Sequence, residues 1–297
     1  MKLVKPTAIT DSNLTSTSVA ETDYSAWNSA TSYTVGQKVI VVATHKIYEA
    51  LTNNTNKYPP DTLEGATPDW LEVGATNAWK MFDQSYQSQT INADEITVIG
   101  EFGRINSLGL LNCDAAAINI KLTVDSVDVY DNNLNVILGT VNNWYEYFYN
   151  EIERKADFVV TNIPVYTNGI LTVTLSGTGE SVKCGNMIPG YTIEIGESLW
   201  GASMGIIDYS RKEVGTFGNY SIIERNYSST LSDSILVENG RAGYIKKLLA
   251  DYRATPALWV ANEDYEGLFA YGFFRDFSIV MESPAGAQCS IEIEGLT

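Results

Sequence analysis

The residues able to do chemistry are few, and their spacing does not bring them together. Gly201-Ala202-Ser203-Met204-Gly205 fits GxSxG, the pattern in which a sharp strand-to-helix turn exposes a nucleophilic serine. Such a serine needs a histidine later in the chain to take its proton. The single histidine, His45, precedes it, and the residues after the motif, Ile206-Ile207-Asp208-Tyr209-Ser210, read as strand. The expectation is therefore a glycine-rich turn. Glu292 and Glu294, two apart, would share one strand face opposite Ile291 and Ile293. Carboxylates that cleave glycosides sit across a cleft from each other, so a solvated strand face is expected. Asp128, Asp131, Asn132, Asn133 and Asn135 offer oxygen ligands at an expected turn. EF-hand spacing is missing, which leaves a plain Asn/Asp turn or a calcium site. Cys113, Cys184 and Cys289 are odd in number and lack CxxC spacing, and are expected as free thiols buried in strands. With no Walker A sequence and no GxGxxG after a strand, the expectation is no enzyme, no cofactor and no metal.

Composition narrows the partners. There are 36 acidic against 19 basic residues, and the net charge of -17 repels phosphate backbones and anionic membrane surfaces. Nucleic acid is not an expected partner. No apolar run of about 18 residues is present, so membrane insertion is not expected. Nor does an apolar run follow the first lysines, Lys2 and Lys5, so a soluble chain without classical export is expected. The remaining chemical resource is aromatic: 18 Tyr, 9 Phe and 6 Trp, rings that stack on sugars or anchor protein interfaces.

These residues must be positioned by strands. The 297-residue length suits two or three domains. Residues 1–23, rich in Ser, Thr, Ala and Asp, predict an extended arm. Residues 24–75 predict a small β module in which Val39 to Val42 pair with Ile47 and Tyr48. Residues 76–190 carry short strands between Asn/Asp/Gly turns and predict a β-sandwich of jelly-roll type. Its inward faces are Ile118, Ile120, Leu122 and Val124, and Ile170, Val173 and Leu175. Residues 191–297 predict a strand-rich α+β domain with one helix, on which Ile245, Leu248, Leu249 and Tyr252 share a face until Thr255-Pro256 ends it. The fold class expected is mainly β and multidomain.

Three stretches resemble known families. Ala26-Trp27, Tyr33 with Gly36 and Val39, Ile47-Tyr48-Glu49-Ala50, Pro59-Pro60 and Asp69-Trp70-Leu71-Glu72-Val73 resemble the small carbohydrate-binding modules of bacterial chitinases and cellulases. The resemblance implies a compact three-stranded unit and makes Trp27, Tyr33, Tyr48 and Trp70 candidate sugar ligands. Leu51-Thr52-Asn53-Asn54 stands where chitin-binding members carry a tryptophan pair, so the main stacking platform is absent and core or scaffold is the role expected of these rings ahead of sugar binding. Residues 77–190 are similar to jelly-roll sugar-binding domains of the discoidin type, from NAWKMFDQSYQSQT to ILTVTLSGTGESVKCGNMIPG.

The last hundred residues, including SLWGASMGIIDYSRKEVGTFGNYSIIERNYS, resemble the C-terminal region of tail proteins of tailed bacteriophages. That resemblance implies a structural virion protein of the tail or baseplate, assembled in the host cytoplasm with other tail subunits into a homo-oligomeric ring. Host attachment through a surface glycan is the accompanying expectation, and a carbohydrate-binding protein is the alternative. Trp259, Tyr265, Phe269, Tyr271 and Phe274 become the candidate subunit interface, with Phe273 and Phe277 beside them.

Overall fold

The computed structural model describes residues 1–65, 67–138, 143–149, 153–215, 217–263, 265, 267–281 and 286–296. Strands make up 52% of the chain and helices 8%, so the protein is mainly β, with several sheets. Lys2–Pro6 (β1) and Leu14–Thr17 (β2) come first. Ser32–Tyr33 (β3), Lys38–Val41 (β4), Lys46–Ala50 (β5), Asn54–Thr55 (β6) and Trp70–Ala75 (β7) form the small module. Thr90–Gly100 (β8), Ser107–Leu111 (β9), Ala117–Val124 (β10) and Val127–Leu134 (β11) precede a short helix, Trp144–Tyr149 (α1). Phe158–Val160 (β12), Ile170–Cys184 (β13) and Asn186–Glu194 (β14) follow. Next come Glu197–Ser198 (β15), Ser203–Asp208 (β16), Arg211–Val214 (β17), Tyr220–Ile223 (β18) and Tyr227–Glu238 (β19). The helix Ala242–Asp251 (α2) leads into Ala257–Val260 (β20), Phe269–Met281 (β21) and Gly286–Gly295 (β22).

A five-stranded sheet, β11-β10-β13-β8-β2, packs on the β12-β9-β14 part of a ten-stranded sheet to make a β-sandwich. Ile118, Ile120, Leu122 and Val124 are buried, and the first three lie in its core, as alternation along β10 predicts. On β13 the inward set is Leu171, Val173 and Leu175, whereas Ile170, expected beside them, is exposed. A strand has period two, so an even-numbered residue cannot share a face with 173 and 175 in unbroken β structure.

The ten-stranded sheet runs β12-β9-β14-β1-β20-β21-β22-β19, with β15 and β16 both on the outer side of β19. Residues 2–6, expected in an arm, are instead a central strand. Leu3 faces Trp259 on the side covered by α2, and Val4 faces Leu258 on the other. Both are fully buried, which a free arm would not allow. The division expected at 190/191 falls inside β14, so the sheet is continuous across it.

The sheet curls strongly. A Cβ on Gly109 of β9 would lie 2.6 Å from the Leu258 side chain of β20, although β14 and β1 lie between those strands. The inside of this half-barrel holds Val4, Leu111, Ile188, Leu258, Val260 and Phe269. On the other face α2 buries Ile245, Leu248 and Leu249, with Tyr252 packed beside them and Pro256 beyond the helix end, as its spacing predicts.

The small module has its own sheet, β4-β5-β7, with Ile40 opposite Ile47. His45, in the β4–β5 turn, joins it to the rest. Its Nδ1 lies 2.7 Å from Glu21 and its Nε2 3.0 Å from Asp11, and the ring stacks on Trp79.

Candidate functional site

Aromatic side chains were the main sequence signal, and the structure separates them into three environments. Tyr33, Tyr48 and Trp70 are buried in the core of the small module, and Trp27 packs against it. Trp70 meets Tyr33 edge-on and its Nε1 donates to the Lys57 carbonyl, 3.1 Å away. Trp27 meets Tyr58 in the same way. A ring that stacks on a sugar must offer an open face. Tyr33, Tyr48 and Trp70 have none, so these candidate sugar ligands are core residues.

The expected interface set divides as well. Trp259 is fully buried, donates to the Gly272 carbonyl and meets Phe274 edge-on. Phe274 in turn packs against Phe277. Tyr265 is exposed, beside an apolar hollow that also contains Trp200 and Leu268. Phe269 and Tyr271 line something the sequence did not indicate, a cavity of about 310 Å³ at the mouth of the half-barrel.

This cavity brings together Tyr86, Tyr227 and Tyr271 with Asp157, Ser229 and Thr230, and Met204 of β16 forms part of its wall. The position of Asp157 follows from the chain just before β12. Its Oδ1 accepts from the Asn112 backbone N–H at 2.7 Å, and the Tyr86 hydroxyl donates to both carboxylate oxygens at 3.2 Å. Burial raises the Asp157 pKa, and the two donated hydrogen bonds only partly oppose this. Burial first, and the neighbouring Asp157 second, push the Tyr86 phenol far up. Burial also raises Tyr271, helped by Asp83. Among the described residues no lysine or arginine lines the cavity, which disfavours phosphate or carboxylate ligands. Phenol rings around one carboxylate suit a neutral polyhydroxylated ligand or a cation.

A third group of apolar and aromatic residues faces solvent. α1 exposes Trp144, Tyr145, Phe148 and Tyr149, with Trp144 stacked on Phe148 and Tyr145 on Tyr149. The helix lies in the excursion whose base is closed by Leu138 donating to Glu153 and Lys155 donating to Val136. Five aromatics in six residues, WYEYFY, is the densest such run in the chain, and that signal was available in the sequence. The second exposed group lies along β16, β17 and β18, where Ile206, Val214, Tyr220 and Ile222 are all open to solvent.

The remaining expectations resolve individually. Ser203 opens β16 on a sheet edge with a strand after it, so GxSxG forms no strand-to-helix elbow here, and both His45 nitrogens face carboxylates. Ile291 and Ile293 are buried, while Glu292 and Glu294 lie on the opposite face, where Glu294 accepts from Tyr209 and pairs with Arg275. Asp128 to Leu134 form β11 and not a turn. The turn is Asp125-Ser126, both at positive φ, a two-residue hairpin loop. Asp128 pairs with Lys121 at 2.6 Å, and Asn119 donates to Asp131 and Asn133. Among the described residues no group of three His, Cys, Asp or Glu gathers as for a metal ion.

The three cysteines are free and buried, Cys184 and Cys289 on strands and Cys113 beside β9. Hydrogen bonding to Cys184 and burial push the Cys113 thiol well up, and burial takes Cys289 up to about 11. No described helix is long and apolar enough to cross a membrane. No protein-family model matches the chain, and neither does any curated protein.

Proposed function

We propose that this chain is a structural virion protein of a tailed bacteriophage, a tail or baseplate component whose work is assembly with further copies and other tail subunits. Assembly in the host cytoplasm, in the tail of the virion, and the absence of catalysis belong to the same proposal. The observation that carries the assembly part is the β17–β18 end of the β16–β19 ribbon, where Val214, Tyr220, Ile222 and Ile223 are all exposed. Exposed apolar surface of this extent marks an interaction site. The bacteriophage part rests on the resemblance of the last hundred residues. Light scattering of the purified protein over a concentration series tests the assembly part, with mass above the monomer or rising with concentration expected. Antibodies against the chain should label virion tails. A strict monomer that labels no tail would overturn the proposal.

A second reading, contact with a host-surface glycan, is favoured by the open rings of α1. They supply the exposed stacking faces that the small module's aromatics lack. Glycan-array binding lost in Trp144→Ala and Tyr149→Ala, and kept in Trp27→Ala, is the expected pattern. Silence on the array would remove this reading.

A further inference from the structure

Two parts of the chain are left incomplete by the fold, and they are of matching kind. The first is the ribbon. β16 pairs with β19 from Ser203 opposite Ser232 to Asp208 opposite Tyr227, and β17 pairs with β18 from Arg211 opposite Ile223 to Val214 opposite Tyr220. The two ladders form one long hairpin. β22 pairs with β19 only from Thr230 onward; Ser228 and Tyr209 still reach Gly295 and Glu294, and past them the β17–β18 end of the ribbon stands alone, with every residue of those two strands exposed. A lone two-stranded ribbon is at best marginally stable in water.

Its surface is also apolar. Ile206, Val214, Phe217, Tyr220, Ile222 and Ile223 are between 50% and 95% exposed. At roughly 150–250 Å² for a fully exposed aromatic residue and somewhat less for an aliphatic one, they present about 800 Å². That is the order of what each partner buries in a standard interface, roughly 800 Å². Within 203–232 three basic and three acidic residues cancel, and Asp208–Lys212 and Arg211–Glu213 pair within the ribbon. In a chain of net charge -17, this is a neutral segment that another copy does not repel.

The second incomplete part is an edge. β20 pairs with β21 only from Phe269 to Gly272, and β22 covers the other side of β21 as far as Met281. No described residue pairs with the outer side of β21 from Phe273 to Met281. These nine residues are FFRDFSIVM, about 30 Å of strand at roughly 3.3 Å per residue. They carry no proline, and Val280 and Met281 are open to solvent. Apart from Arg275 and Asp276, which lie at a β-bulge, and Ser278, the segment is apolar, and an unpaired edge of this kind is a template for pairing with another strand. Ile206 to Val214 along the ribbon is also nine residues.

We propose that the ribbon of one copy docks along the β21 edge of a second copy and extends its ten-stranded sheet. Within one copy this contact is closed off. β22 and β19 lie between the ribbon and the β21 edge, and that edge runs away from Gly272, the end of the sheet from which the ribbon leaves. The contact joins two different surfaces, so it is head-to-tail, and copies joined this way close into a ring or continue as a filament. The inference deepens the assembly proposal and rests on it.

Two single variants test it, Ser221→Cys on the ribbon and Ser278→Cys on β21, both at exposed positions. The native thiols are buried and stay silent under native conditions. Each variant is purified, the two are mixed, and a short bis-maleimide is added. The expected product is a dimer linking 221 to 278, at least about ten times more abundant in the mixture than in either variant alone. In parallel, residues 209–226 are replaced by Asn-Gly, which closes Asp208 and Tyr227 with a two-residue turn. Its mass should fall to that of a monomer with unchanged thermal stability.

An oligomeric wild type whose mass survives the shortening, with no 221–278 link, overturns this inference and leaves the assembly proposal standing. A wild type monomeric at every concentration, with no link, overturns this inference, and if virion tails also go unlabelled it overturns the assembly proposal as well.

Discussion

The small module and the ribbon are both β structure rich in large apolar side chains, and they use them in opposite ways. In the module the β4-β5-β7 sheet and the short β3-β6 pair share one core, so Tyr33, Tyr48 and Trp70 become each other's environment. In the ribbon no described element covers β17 and β18, so Val214, Tyr220 and Ile222, which share one face by their register, remain in water. Residue type alone does not separate the two cases. What separates them is whether a further layer of the same chain is within reach, which depends on topology.

The largest expected effect that would test this contrast is on the module side. Trp70→Ala removes the largest side chain of a small core along with its hydrogen bond to Lys57 and its contact with Tyr33. It should cost about 3–5 kcal/mol, the usual range for a buried tryptophan. For a unit of this size the module should then unfold on its own, seen as a separate low-denaturant transition by tryptophan fluorescence. If stability were unchanged, the module's aromatics would not be core and the contrast would fail.

A smaller effect is expected at the junction. His45→Ala removes hydrogen bonds to Glu21 and Asp11 and the stack on Trp79, leaving Glu21 with only Thr76. Loss of such a partly buried polar contact should cost about 1–3 kcal/mol. Proteolysis between the module and the rest should become faster, while the module's own transition stays in place.

The cavity at the root of the ribbon contributes a pH effect. Asp157 is raised in the folded state by burial. Below the ordinary carboxylate pKa, near 4, both folded and unfolded states are protonated there. As pH rises above that value the unfolded chain loses its proton first, so stability falls through the window up to the raised folded value and then levels off. Asp157→Asn should abolish that decline while keeping an acceptor for Asn112. Tm measured from pH 3 to pH 7 for both proteins gives the difference. Asp83 and Asp233 are raised in the same sense and remain in both, so the contribution of Asp157 is what the comparison isolates.

Much of the local structure was legible in the sequence, because it depends on periodicity. The α2 spacing, the β10 alternation, the Ile40–Ile47 pairing and the opposed faces of Ile291 and Glu292 are local patterns, and each is set by neighbours within one or two elements. Lys2–Pro6 was not legible as a central strand. Its partners, β14 and β20, lie far along the chain, and five residues with one apolar pair carry no sign of them. The cavity was hidden for the same reason, since Tyr86, Asp157, Tyr227 and Tyr271 come from four distant segments. Asp128 to Leu134 misled because Asp and Asn favour turns in general, whereas here the tighter Asp125-Ser126 pair takes the turn and the rest continue as strand.

The smallest expected effect is on the ribbon side, and a null result in stability is its substance. Val214→Thr with Ile222→Thr replaces two exposed side chains by a residue that also favours strands. Because Val214 and Ile222 are 62% and 66% exposed, unfolding should change by no more than about 0.5 kcal/mol, as for ordinary surface substitutions. Both residues lie on the ribbon that docks on the second copy, so self-association should weaken even though stability does not. Sedimentation across a concentration series and chemical unfolding of a dilute sample read the two quantities separately. A loss of monomer stability near that of Trp70→Ala would mean that the ribbon packs within its own chain. The module and the ribbon would then be two versions of one arrangement.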